Sequence, residues 1–138
     1  MRAGLPLALL LILMVAGAGA EHAPEFRYVV LGYVTDSAGK PVAGAPVQVV
    51  RDKTELGYAG TTDATGLYVV VVRLADESVG ESLTVRLGER STRVTVRFDP
   101  ANHHDERGTR VDVNGARFVE TPGTFKATLN RFLAAPAR

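Results

Sequence analysis

The sequence predicts an all-β fold, an antiparallel β-sandwich of about seven to eight strands, transthyretin-like or Ig-like in type. Three observations predict it. Short runs of β-branched and aromatic residues recur along the chain, as in Phe26–Thr35 and Leu67–Leu74. Turn words separate them, among them Asp36-Ser-Ala-Gly39, Asp63-Ala-Thr-Gly66 and Asn114-Gly115. There Asp or Asn can bond its own backbone, and Gly can take the left-handed conformation that closes a tight turn. No long stretch has a strong helical period, so the strands must form the body of the fold.

Ahead of the first strand, residues 1–20 read as an export signal. Arg2 provides a positive start, Leu5–Val15 an apolar core, and Ala16–Ala20 a run of small residues suited to cleavage. The apolar core is short against the roughly 20 residues of a membrane-spanning helix, so membrane attachment is expected only if the signal stays uncleaved. The expected division is a signal at 1–20 and a single sandwich domain at 21–138, placed in the periplasm or outside the cell. Without Arg2 the 16 basic residues become 15, equal to the 15 acidic ones. That neutral balance gives no case for a nucleic-acid partner. The chain has no Cys, so neither a disulfide nor a thiolate zinc site can staple the domain, and a packed core must hold it.

Phe26–Thr35 alternates with apolar residues on both sides, which predicts a strand partly buried on both faces. Ala45–Arg51 is a second strand that starts late or lies at an edge, since Pro41 and Pro46 cannot donate to a ladder. Gly57–Thr62 is a weak third. Leu67–Leu74, with four consecutive valines, predicts a central strand. Ser82–Leu87 and Thr92–Phe98 alternate cleanly and are expected to pair through the loop Gly88–Ser91. Polar residues follow up to Gly108, including a third Asp-x-x-Gly at Asp105–Gly108. Arg110–Val119 then reads as a hairpin turning at Asn114-Gly115, with Asp112 facing Arg117.

The tail carries two patterns. Phe125, Leu129, Phe132 and Leu133 have helical spacing behind Thr121-Pro122, while Phe125, Ala127 and Leu129 alternate as in a strand. The threonines and phenylalanine favour a final strand.

The words Gly32-Tyr-Val-Thr-Asp-Ser-Ala-Gly-Lys-Pro-Val-Ala-Gly-Ala45 and Thr61-Thr-Asp-Ala-Thr-Gly-Leu-Tyr68 resemble the carboxypeptidase regulatory-like domain family. The resemblance covers residues 29–72. It implies a transthyretin-like sandwich and a non-catalytic accessory module. On that footing Asp36, Gly39, Asp63 and Gly66 are turn residues, Gly44-Ala45 lets the second strand pack closely, and Tyr68 belongs to the core.

Two groups of residues could carry function. Arg86, Arg93 and Arg97 share the polar face of the fifth and sixth strands, where they could bind acidic glycans or a partner's carboxylates. The simplest register sets Arg86 against Arg93, an unfavourable pair relieved by Glu81 or Glu89. His103, His104 and Asp105 are the one concentrated run of metal-type ligands, though neighbouring side chains of extended backbone diverge. No catalytic triad or zinc helix is legible among the three histidines. The Tyr-Arg-Gly-Ser close of hydroxyisourate hydrolases is missing from Phe132–Arg138.

The sequence therefore predicts a non-catalytic module without a cofactor, binding an extracytoplasmic protein or carbohydrate. The rival expectation is a small metal-dependent or hydroxyisourate-hydrolase-like enzyme.

Overall fold

Every β-branched run becomes a strand. A computed structural model describes residues 23–136, so the expected export signal lies outside the described residues. The strands are β1 (Phe26–Thr35), β2 (Pro46–Arg51), β3 (Leu56–Thr61), β4 (Leu67–Leu74), β5 (Ser82–Leu87), β6 (Arg90–Thr95), β7 (Arg107–Asn114) and β8 (Arg117–Glu120). They form two four-stranded sheets, ordered β4-β1-β7-β8 and β3-β2-β5-β6. β4 is therefore an edge strand and not the central one expected: its valine run buries the inner face, while Val71 and Arg73 on the outer face are exposed. β2 starts late, at Pro46, but lies inside its sheet and not at an edge. Inward residues of both sheets interdigitate: Val30, Val49, Val70, Val85 and Val96 are each 0% exposed. Tyr68 lies among them and donates its hydroxyl to the Val111 carbonyl at 2.5 Å, which satisfies its one buried polar atom.

One pair departs from the expected antiparallel layers. β1 and β7 run parallel, because the chain leaves β6 in one sheet and enters β7 beside β1 in the other. The first sheet is therefore mixed.

The two aspartate–glycine corners are built alike. Asp36 Oδ1 accepts the amides of Ala38 and Lys40, and Asp63 Oδ1 those of Thr65 and Leu67. Gly39 (φ +82°) and Gly66 (φ +83°) each donate back to the carbonyl of the aspartate three residues earlier. These carboxylate oxygens hold the corners shut, which is the turn role expected of them. Gly44 acts through its φ of +73° and not through close packing, since a Cβ there would meet nothing within 4 Å.

Three local expectations change. The Asn114-Gly115 hairpin turns one residue later: Gly115 (φ +59°) and Ala116 form the loop, Asn114 pairs with Arg117, and Asp112 faces Val119. A single left-handed glycine at the first central position suffices for a turn of the II′ type, so Asn114 stays in the ladder. The β5–β6 loop is only Gly88-Glu89, shorter than expected, which starts β6 at Arg90. The third Asp-x-x-Gly is no corner: Gly108 lies inside β7, and the turn is made by Asp99 and Asn102, whose Oδ1 atoms cap following amides.

The tail corrects the expected final strand. Pro122–Thr124 form a single 3-10 turn, and α1 (Phe125–Ala134) follows. The outer face of β1 supplies the reason. Val29 and Leu31 point away from the main core and need cover, and Phe125, Leu129 and Phe132 provide it from one helix face. Gly108 makes room, since a Cβ there would lie 2.5 Å from the Phe125 ring. The helix also satisfies Thr128, whose hydroxyl donates to the Thr124 carbonyl (2.8 Å) and accepts from Arg110 (3.0 Å).

Candidate functional site

The outward residues of β2, β5 and β6 make a polar face. Register places Gln48, Arg86 and Ser91 in one row and Val50, Thr84 and Arg93 in the next. Arg86 therefore sits diagonal to Arg93 and does not oppose it, so the expected like-charge clash is absent; the shorter loop is the cause. Glu81 does not relieve these arginines. It forms a two-pronged pair with Arg51, with both contacts at 2.7 Å. Asp52 takes that part: its Oδ2 lies 3.4 Å from Arg93 Nε, and its Oδ1 accepts from Thr84 at 2.7 Å. Burial pushes the Asp52 carboxyl up, but the Thr84 hydroxyl and the charges of Arg93 and Arg86 outweigh it and hold it below the usual range.

Arg86 reaches Gln48 Oε1 only at 3.4 Å, a weak bond that leaves its other donors to solvent. It lines a depression of about 300 Å³ with Pro46, Gln48, Ala59 and Gly88. Across Pro46 and Gly88 lies a larger one of about 660 Å³, floored by Val34, Val42, Ala45 and Leu87 and rimmed by Asp36, Glu89 and Arg90. Arg90 crosses the sandwich there and donates to the Gly115 carbonyl.

Arg97 does not join the face. It follows the end of β6 and lines a separate cleft of about 380 Å³ between the 97–107 loop and the start of α1, which Lys126 also lines. The three arginines divide into a pair and an outlier. Compared with family models and with curated proteins, the chain matches none.

The histidine loop is bent, not extended: Asn102 Oδ1 accepts the amides of His104 and Asp105, and the His103 and Asp105 side chains still go to different partners. The His103 ring stacks on Phe26 (centroids 4.6 Å apart, 18° between planes), and its Nε2 lies 2.8 Å from Asp76 Oδ2. Asp105 turns instead to the Asn102 amide (3.0 Å) and Lys126 (3.4 Å). His104 contributes its backbone amide to Asn102. Among the described residues no group of three or more His, Asp or Glu side chains is placed to hold a metal ion.

The residue that organises this end is one the sequence reading passed over. Arg107 is 7% exposed, bonds Asp76 Oδ1 at 2.9 Å and the Asn102 carbonyl at 3.0 Å, and lies over the Phe98 and Phe26 rings. The Asp76 carboxyl is held below its usual range by its hydrogen bond to His103 first and by Arg107 next, against some desolvation. A signal existed: once β7 is extended back to residue 107, the inward positions are Arg107, Thr109, Val111 and Val113, which marks a buried cation. Among the described residues no helix is long and apolar enough to cross a membrane.

Proposed function

We infer that this is an exported, non-catalytic β-sandwich module that binds an extracytoplasmic partner or acidic glycan through the face bearing Arg86 and Arg93. One observation carries the reading: two diagonal arginines with solvent-facing donors stand on the outer strand face beside Gln48, Thr84 and Ser91, and Arg86 lines one of two neighbouring depressions. Carboxylate-bearing ligands suit that arrangement, because guanidinium groups pair with them in two-pronged fashion. The signal-like residues 1–20 support the extracytoplasmic address, and the likeness of the two turn words to carboxypeptidase regulatory-like domains supports an accessory role. Against the enzyme alternative, His103 and Asp105 are engaged in holding their loop to Phe26, Asp76 and Lys126.

The test is an array of acidic and neutral glycans and acidic peptides, read with the wild type and with the Arg86→Ala, Arg93→Ala double variant. Selective capture of acidic ligands, lost in the double variant, is expected. Capture by the variant equal to the wild type, or none by either, overturns the reading.

A further inference from the structure

The face bearing Arg86 and Arg93 ends at an open strand edge. β6 pairs with β5 on one side, and no strand pairs with its other side among the described residues. The phase of its hydrogen bonds follows from Val96, whose amide donates to the Glu81 carbonyl at 2.8 Å. Bonded pairs alternate in an antiparallel ladder, so Val94, Thr92 and Arg90 face β5. Ser91, Arg93 and Thr95 turn their N–H and C=O groups outward, an unfilled template for another strand.

The other edges offer less. β3 and β4 close on each other: a Cβ on Gly60 would lie 3.0 Å from the Val69 carbonyl oxygen. β8 has only four residues. The side chains of Ser91, Arg93 and Thr95 all project onto the outer face. Arg93, with its side chain 75% exposed, makes its one ionic contact at 3.4 Å with Asp52 and no hydrogen bond to a described residue. Arg86 stands diagonal to it on β5.

We propose that β6 takes an extended, acidic segment of a partner protein as a fifth strand of this sheet, its backbone paired with Ser91, Arg93 and Thr95 and a carboxylate set against Arg93. The proposal rests on the binding-module reading and narrows it to a polypeptide ligand. The charge complementarity is local: on one face of a strand pair, opposed side chains of opposite sign favour the pairing and like signs oppose it. That rule also disfavours a second copy of this chain, since joining two β6 edges about Arg93 sets arginine against arginine. Main-chain bonds supply the affinity of such an addition, and alternate side chains supply the choice of sequence.

The experiment is an amide-resolved NMR titration with an extended peptide alternating Val and Glu, beside its Val–Lys counterpart. The Val–Glu peptide should shift and protect from exchange the amides of Ser91, Arg93 and Thr95, while those of Thr92 and Val94, already bonded to β5, change little. Ser91→Pro removes an outward donor and no ladder bond, so it should weaken binding by about tenfold with the rest of the spectrum unchanged. Arg93→Glu should reverse the preference toward the Val–Lys peptide. Equal response to both peptides, or undisturbed edge amides, overturns the proposal. Edge amides already protected in the free protein, with a dimer in sedimentation, overturn it in favour of a second copy. A polyuronate that perturbs Arg86 and Arg93 when the peptide does nothing overturns strand addition and leaves the glycan form of the binding reading standing.

Discussion

Arg107, the first residue of β7, and Asp76, in the 3-10 turn after β4, lie thirty-one residues apart and meet at 2.9 Å, with the arginine buried and the aspartate partly open to water. The guanidinium carbon lies 4.0 Å from the Phe98 centroid and 5.1 Å from that of Phe26. Arg107→Ala removes the ion pair, the aromatic contacts and the donor to the Asn102 carbonyl together. The expected loss is about 2–3 kcal/mol of unfolding free energy, below the cost of breaking a fully buried pair because water reaches Asp76. Arg107→Lys should recover less than half, since an ammonium cannot stack between two rings and donate to both partners. Urea unfolding of the two variants measures both, and a loss under 0.5 kcal/mol for Arg107→Ala would show the pair to be no more than a surface contact.

Acid should weaken the fold through the carboxyls whose native pKa is lowered, Glu81 and Asp76 among them. Glu81 is held below its ordinary 4.5 chiefly by its hydrogen bond to Arg51, and Asp76 below 3.8 chiefly by that to His103. A native carboxyl with a lowered pKa binds fewer protons than the unfolded chain. Its contribution is therefore present above the unfolded value and is lost as pH falls through the native one. Unfolding midpoints should hold steady from pH 7 to 5 and drop below about 4.5. Glu81→Gln should lower stability at pH 7 and shrink the difference between pH 7 and pH 3; an unchanged acid limb in that variant would clear Glu81 of the effect. At the other extreme, burial pushes the Tyr28 hydroxyl up from 10.0 to about 12. Its contribution is full below the unfolded value and declines as pH rises toward 12.

Local signals announced the sandwich and its corners. The bounds of β1 and β4 were legible to the residue because their patterns need no knowledge of neighbours, but the valine run of Leu67–Leu74 did not tell a central strand from an edge one: β4 lies at the edge of its sheet, with Val71 and Arg73 exposed. The tail was not legible, because two patterns overlap at Phe125 and Leu129 and the choice is made elsewhere. Val29 and Leu31 require a cover, and Gly108 leaves a hole into which Phe125 fits. The candidate face was half legible. Alternation put Arg86 and Arg93 on one side, but a loop two residues shorter than expected decided their spacing, and Arg97 left the face because β6 ends at Thr95. The Arg107–Asp76–His103 arrangement joins separate parts of the chain by charge, and no local pattern encodes that.

The two corner glycines should respond differently to alanine. At Gly39 a Cβ meets nothing within 4 Å, so the cost is the left-handed backbone alone, about 1–2 kcal/mol. At Gly66 the same strain is joined by a Cβ placed 2.6 Å from the Val34 carbonyl oxygen. That atom belongs to a central strand and cannot withdraw cheaply, which adds about 1–3 kcal/mol. Thermal melts of Gly39→Ala and Gly66→Ala rank the two, and equal losses would mean that backbone strain alone governs both corners.

Helix α1 should stabilise the domain through one face. Leu129 is 6% exposed and lies on Leu31 and Val29, while Leu133, one turn on, is 66% exposed. Leu129→Ala opens a cavity over the outer face of β1 and should cost about 2–4 kcal/mol. Leu133→Ala touches no buried surface and should fall within about 0.5 kcal/mol of the wild type. The contrast also separates helix propensity from packing, because alanine is the better helix former at both positions and on propensity alone each change would be neutral or stabilising. If Leu129→Ala melts with the wild type, the helix does not hold the outer face of β1 in solution, and Val29 and Leu31 would then bind a hydrophobic dye in that variant and the parent alike.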